Sequence, residues 1–143
     1  MGGKVDLTAR YGVNDYHSIN LQTSLTTLRE NLFANDGSSG EFGVVFTRPL
    51  SARMNLETRF IHQSNDFDNV STSRTRISGV DSPEQRFISE GNESETIARA
   101  LVRFERSPAL TFEGGGEVAY NRLETEQAFT VGGVPVPLPS TSV

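Results

Sequence analysis

The stretch Glu41–Gln63, EFGVVFTRPLSARMNLETRFIHQ, decides the fold of this chain. Apolar and polar residues alternate on both sides of Pro49, and a period of two is typical of a β-strand with one apolar face and one polar face. Pro49 has no backbone amide to donate, so it favours a turn or a strand end. The stretch therefore predicts a hairpin of two strands, 41–48 and 53–63, joined by a tight turn at 49–53.

The same alternation recurs on both sides of this hairpin. It predicts an all-β protein, an antiparallel up-and-down meander of about six strands in three hairpins. The predicted strands lie near 4–11, 17–28, 41–48, 53–63, 95–105 and 110–126.

The connections between these strands are predicted to differ in length. Turns at 12–15, 49–53 and 106–109 are short, whereas 31–40 and the polar stretch 64–94 are predicted to be longer loops. A meander places alternate connections at the same end of a sheet, so short turns are expected at one end and long loops at the other. The segment 131–143, rich in Pro and Gly, is predicted to be an extended tail.

Composition excludes several classes of function. The net charge of −5 offers no basic surface for nucleic acid. The absence of Cys removes disulfides, thiolate zinc sites and thiol nucleophiles together. No window contains the roughly 20 apolar residues of a membrane-spanning helix.

No metal or cofactor is predicted from the motifs. Asn65–Asn69 offers oxygen ligands of the kind that Ca²⁺ prefers, but it lacks the glycine and the distal glutamate of a calcium loop. The two histidines, His17 and His62, stand near strand ends without any Cys, so a position at an interface is preferred to a zinc site.

No enzyme is predicted either. The run Gly114–Gly116 is not followed by a helix that could cradle a phosphate, so close packing or strand curvature is the preferred interpretation. Glu113 and Glu117 are separated by roughly 13 Å along a strand at about 3.3 Å per residue, which is too far for a catalytic carboxylate pair.

The two faces of the predicted sheet have opposite chemistry. An outer-membrane barrel has an apolar outer face and a polar lumen, whereas a soluble sandwich buries its apolar face. For the barrel, the lumen-facing candidates are Glu57, Arg59, Arg99, Arg103, Glu113 and Glu117. The lipid-facing candidates are Phe42, Val44, Phe46, Leu56, Phe60, Val102, Phe104, Phe112, Val118 and Tyr120.

Two segments resemble the barrel strands of TonB-dependent outer-membrane receptors. They are 42–60 and, more closely, Leu110–Leu123 together with the sequence Val-Gly-Gly-Val-Pro-Val-Pro that begins at Val131. The resemblance implies that the chain is an internal segment of a large transmembrane β-barrel in the bacterial outer membrane, without the plug domain. At least about eight strands close a barrel, so a longer protein is expected.

The resemblance also implies function and partners. Receptors of this class import a siderophore, a vitamin or a glycan. The implied partners are membrane lipid, a small-molecule substrate and the energy-coupling TonB protein, which is reached through a plug domain outside this chain.

Two alternatives remain open from the residues alone. The first is a soluble β-sandwich binding module in which the long loop 64–94 carries recognition. The second is a structural β-repeat, which is weaker because the strands share no motif of fixed period.

Overall fold

The computed structural model describes residues 2–138 and shows an all-β protein. Five strands are long and two are short, in the order β1 (Lys4–Thr23), β2 (Thr27–Ser51), β3 (Met54–Ile77), β4 (Val80–Asp81), β5 (Gln85–Ser107), β6 (Leu110–Val131) and β7 (Val134–Pro135). They form one open antiparallel sheet in the order β1-β2-β3-β5-β6-β7, with β4 paired to β3. The predicted all-β antiparallel meander is confirmed, with seven strands instead of about six.

Most of the long strands extend beyond their predicted ends, but the predicted strand 17–28 is wrong at 24–26, which connect β1 to β2. The predicted turn at 12–15 is wrong because these residues lie inside β1, and 31–40 likewise lies inside β2. The predicted loop 64–94 is wrong because β3 continues to Ile77 and β5 begins at Gln85. Backbone hydrogen bonds hold these segments in the sheet, and such bonds do not require an apolar face. Polar residues on both faces hide that pairing from a search for alternating hydrophobicity.

All connections between the described strands are short. They are 24–26, 52–53, 78–79, 82–84, 108–109 and 132–133. The predicted turns at 49–53 and 106–109 are therefore confirmed in position, but the predicted contrast between short turns and long loops is wrong.

Two of these connections are two-residue turns with positive φ at both positions. Ser78 and Gly79 have φ of 50° and 84°, and Gly132 and Gly133 have φ of 57° and 79°. Such turns match the right-handed twist of a hairpin, and glycine adopts these angles without steric cost. The second turn pairs Val134 with Val131, so the tail predicted for 131–143 is wrong at its start. Residues 139–143 of that prediction lie outside the described residues.

Residues 2–138 contain no buried side chain, either apolar or polar. All seven strands belong to the same sheet, so this part of the chain holds no second sheet that could cover the first. That arrangement differs from the predicted soluble sandwich, in which two sheets enclose a core. No helix in the same residues is long and apolar enough to cross a membrane.

The chain divides into two compact units. Unit 1 comprises Met1–Gly12, Ser39–Asn65 and Glu93–Leu123, and unit 2 comprises Val13–Ser38, Asp66–Asn92 and Glu124–Val143. All sixteen residues predicted to face lipid or lumen belong to unit 1.

Candidate functional site

One face of unit 1 is apolar across four neighbouring strands. Side chains of β2, β3, β5 and β6 line a common open depression on it. Its apolar and small members are Val44, Thr58, Phe60, Ala98, Ala100, Gly116 and Val118. On each strand these residues are separated by an even number of positions, as residues on one side of a strand must be.

The ten residues predicted to face lipid follow the same alternation. They occupy even-numbered positions of β2, β3, β5 and β6, in step with the members of the depression. Large apolar side chains among them are open to their surroundings, with Val118 exposed by 65% and Tyr120 by 67%. The structure therefore brings the predicted apolar set together on one face.

The opposite face of unit 1 carries charged side chains that pair with one another. Arg103 Nε donates to Glu113 Oε1 at 2.5 Å, and Arg59 Nη2 lies 3.7 Å from Glu57 Oε1. Four of the six residues predicted to face a lumen are thus paired. The other two, Arg99 and Glu117, line the depression beside their apolar neighbours, as Arg59 also does.

A second polar cluster on β1, β2 and β3 was missed by the sequence analysis. Glu41 accepts a hydrogen bond from Gln63 Nε2 at 3.0 Å and lies 3.6 Å from Arg10 Nη1. These three side chains line a concave region of unit 1 with Ser39 and Glu95. The polar members of the alternating strands were the available signal, but the sequence alone does not show which of them become cross-strand neighbours.

Within the run Gly114–Gly116, Gly115 packs closely against the backbone of the neighbouring strand β5. A Cβ atom at this position would collide with the carbonyl oxygen of Ala100 and approach Cα of Leu101, both on β5. Nothing lies within 4 Å of the same atom built on Gly114 or Gly116. The close-packing interpretation is therefore confirmed for Gly115.

Unit 2 has a row of amides across three strands. Asn14 Nδ2 on β1 donates to Asn35 Oδ1 on β2, and Asn35 Nδ2 donates to Asn69 Oδ1 on β3. The rings of Tyr16 and Phe33 lie beside this row, with centroids 6.2 Å apart. The row ties together segments that the sequence analysis placed in separate turns and loops.

The oxygen-rich stretch 65–69 forms no loop, because it lies within β3. Alternation along the strand puts Asp66 and Asp68 on one side and Asn69 on the other. Asp66 accepts hydrogen bonds from Asn92 Nδ2 and from Ser38 Oγ, the latter at 3.4 Å. In unit 1, His62 lies beside Thr96, with 2.9 Å between His62 Nδ1 and Thr96 Oγ1.

Ion pairs surround the turn between β3 and β4. Arg76 makes two hydrogen bonds to the Asp81 carboxylate, at 2.6 and 2.9 Å. The hydrogen bond from Arg76 lowers the pKa of Asp81 below its usual range, and the same contact raises the pKa of Arg76. Arg74 bonds to Glu84 at 2.6 Å, which raises the pKa of Arg74, and lies 3.5 Å from Glu30.

The chain matches no model of a known protein family, and no curated protein is significantly similar to it.

Proposed function

We propose that this chain forms part of the wall of a TonB-dependent receptor barrel in the bacterial outer membrane. The observation that carries the proposal is the exposed apolar face of unit 1. Residues 2–138 contain no buried side chain, yet Phe, Val, Leu and Tyr side chains lie on one side of the strands of unit 1. An exposed apolar surface of this kind is typical of a surface that contacts lipid or another protein.

The height of the apolar row fits a membrane. From Leu110 to Tyr120, every second residue of β6 is apolar or glycine. Eleven strand residues span roughly 34 Å at about 3.4 Å per residue. A strand tilt of about 40° reduces this height to roughly 26 Å, close to the apolar band of about 25 Å on outer-membrane barrels. Small residues on this face are compatible with lipid, because acyl chains adapt to their shape.

The opposite face fits a water-filled lumen. The pairs formed by Arg103 with Glu113 and by Arg59 with Glu57 involve side chains that are 40–52% exposed. Charged groups on the lipid side of a barrel cost roughly 2–4 kcal/mol near the middle of the membrane, whereas charges in the lumen remain hydrated. The charges therefore support a position of the polar face in the interior of the barrel.

The receptor class rests on the resemblance of the strands from 42 to 60 and from 110 to 123. On this proposal, further strands of a longer protein continue the open sheet and close the barrel. Its function is the uptake of a siderophore, vitamin or glycan, with TonB supplying energy through a plug domain outside this chain. In this role the barrel segment needs neither a catalytic centre nor a cofactor.

Val44 and Val45 allow a matched test because they are adjacent on β2 and point to opposite faces. In the complete receptor expressed in bacteria, V44R should prevent stable insertion into the outer membrane, at a cost of roughly 2–4 kcal/mol. V45R and E57Q should insert normally, as measured by the amount of folded receptor in outer-membrane fractions. Equal insertion of V44R and V45R would show that the assignment of the faces is wrong.

A further inference from the structure

Asp15, His17 and Asp36 converge on one side of unit 2. Asp15 and His17 are two residues apart on β1, so their side chains point the same way, and Asp36 comes from the neighbouring strand β2. One ligand atom from each residue lies within 4.8 Å of the other two. Asp15 Oδ1 and His17 Nε2 are already 2.8 Å apart. We propose that these three side chains bind a divalent transition-metal ion. Zn²⁺ is the ion used below to discuss and to test the site.

The distances suit a single ion. Zinc binds imidazole nitrogen and carboxylate oxygen at about 2.0–2.2 Å, so two ligands in a tetrahedral site lie roughly 3.3–3.6 Å apart. The ligand atoms already lie within 4.8 Å of one another, and the exposed side chains have room to rotate toward this separation. Water completes the coordination shell, since all three residues are exposed.

The ligand types favour a transition metal over Ca²⁺ or Mg²⁺. The two alkaline-earth ions prefer shells made entirely of oxygen, whereas imidazole is a preferred ligand of Zn²⁺, Cu²⁺ and Ni²⁺. His17 supplies the nitrogen and the two aspartates supply charge that neutralises the dication.

The surrounding charges favour a cation as well. Asp36 also lines a depression of unit 2 with Asp66, Asp68 and Glu90. Neighbouring carboxylates repel one another, and a bound dication relieves that repulsion.

The metal site is independent of the proposed transport function. Its three ligands belong to unit 2, whereas the apolar face that supports the membrane assignment belongs to unit 1. Failure of either proposal therefore leaves the other unaffected.

The presence of only two histidines permits a test on the unaltered protein. ZnCl₂ is titrated into the whole chain in detergent micelles while the ring signals of both histidines are followed by NMR. The signals of His17 should move and saturate with one Zn²⁺ per chain, and those of His62 should not change. Movement of the His62 signals at lower zinc concentration than those of His17, or no response from His17, would refute the proposal.

Variants identify the remaining ligands. H17Q and D36N should each weaken zinc binding by about tenfold or more. Removal of a residue that only contacts a metal ligand already costs about tenfold in affinity, so removal of a ligand should cost at least as much. H62Q is the matched control and should bind as the unaltered chain does, with affinity measured by competition with a chromophoric chelator. Excess Ca²⁺ should not displace the zinc. Unchanged affinity in H17Q, or an equal loss in H62Q, would overturn the assignment.

Discussion

Arg103 on β5 and Glu113 on β6 are joined across their hairpin by a hydrogen bond of 2.5 Å between Nε and Oε1. Both side chains are about half exposed, at 52% and 46%, so water weakens their attraction. We expect R103Q and E113Q each to lower the free energy of unfolding by at most about 1 kcal/mol.

Reversal of one charge in this pair should be more costly than its removal. R103E places two carboxylates opposite each other on adjacent strands, which is unfavourable, and the double variant R103E/E113R should recover most of the loss. Urea unfolding in detergent with a double-mutant cycle measures the coupling. Strictly additive effects of the two single reversals would show that the pair does not interact.

The packing of Gly115 against β5 predicts a sharp difference between neighbouring glycines. G115A introduces a methyl group against the backbone of Ala100, and such overpacking typically costs about 1–3 kcal/mol. G114A should be neutral or slightly stabilising, because its Cβ meets nothing within 4 Å and alanine restricts the unfolded chain. Denaturant titration of both variants checks the difference, and similar stabilities would contradict the close approach of the two strands.

Residues Val118 and Ala119 should report opposite environments if the apolar face meets lipid. The chain contains no Cys, so V118C and A119C each provide one labelling site for a fluorescent probe. In vesicles containing brominated lipid, we expect strong quenching of the probe at position 118 and weak quenching at 119, because successive residues of a strand point to opposite faces. The same quenching at both positions would be incompatible with a wall that separates lipid from a lumen.

The contact between Arg76 and Asp81 predicts a pH dependence at the β3–β4 turn. Because the pKa of Asp81 is lowered in the folded chain, the ionised carboxylate stabilises the turn fully above the unfolded value of about 3.9. The contribution is lost as the pH falls through the lower, folded value.

The NMR signal of the Arg76 Nε–H group measures this loss directly. It should keep its hydrogen-bonded position at pH 4 and move only under more acidic conditions, whereas D81N should abolish that transition. A transition at or above the ordinary Asp range would mean that the contact does not stabilise the ionised form.

Much of unit 1 could be predicted from the sequence. Its strands have a clear period of two, as in Phe42, Val44 and Phe46, and the turns at 52–53 and 108–109 lie within predicted turns. Alternation also places the ten apolar residues on one face without any information about neighbouring strands. The membrane assignment of that face stays a proposal, since alternation alone does not identify what covers it.

Unit 2 was largely missed for a physical reason. The segment 66–77, for example, carries Ser, Thr, Asn, Asp and Arg on both sides of the strand, so no alternation of hydrophobicity marks it. Its backbone groups nevertheless pair with adjacent strands, and amides such as Asn14 and Asn35 bond to each other across the sheet. The proximity of Asp36 to His17 was not predicted for the same reason. The sequence analysis predicted a loop at 31–40, where β2 in fact runs beside β1.

The sequence by itself determined the strand type, the two chemically distinct faces of unit 1 and the absence of any thiol chemistry, because these properties depend on residue type and on a period of two. Only the tertiary structure decided the strand lengths, the single sheet and the partners of each charged side chain. Those features depend on the register between strands, which sets whether Glu113 meets Arg103 and whether Asp36 meets His17. Register is a property of strand pairs, and residues far apart in the chain become neighbours only when the sheet forms.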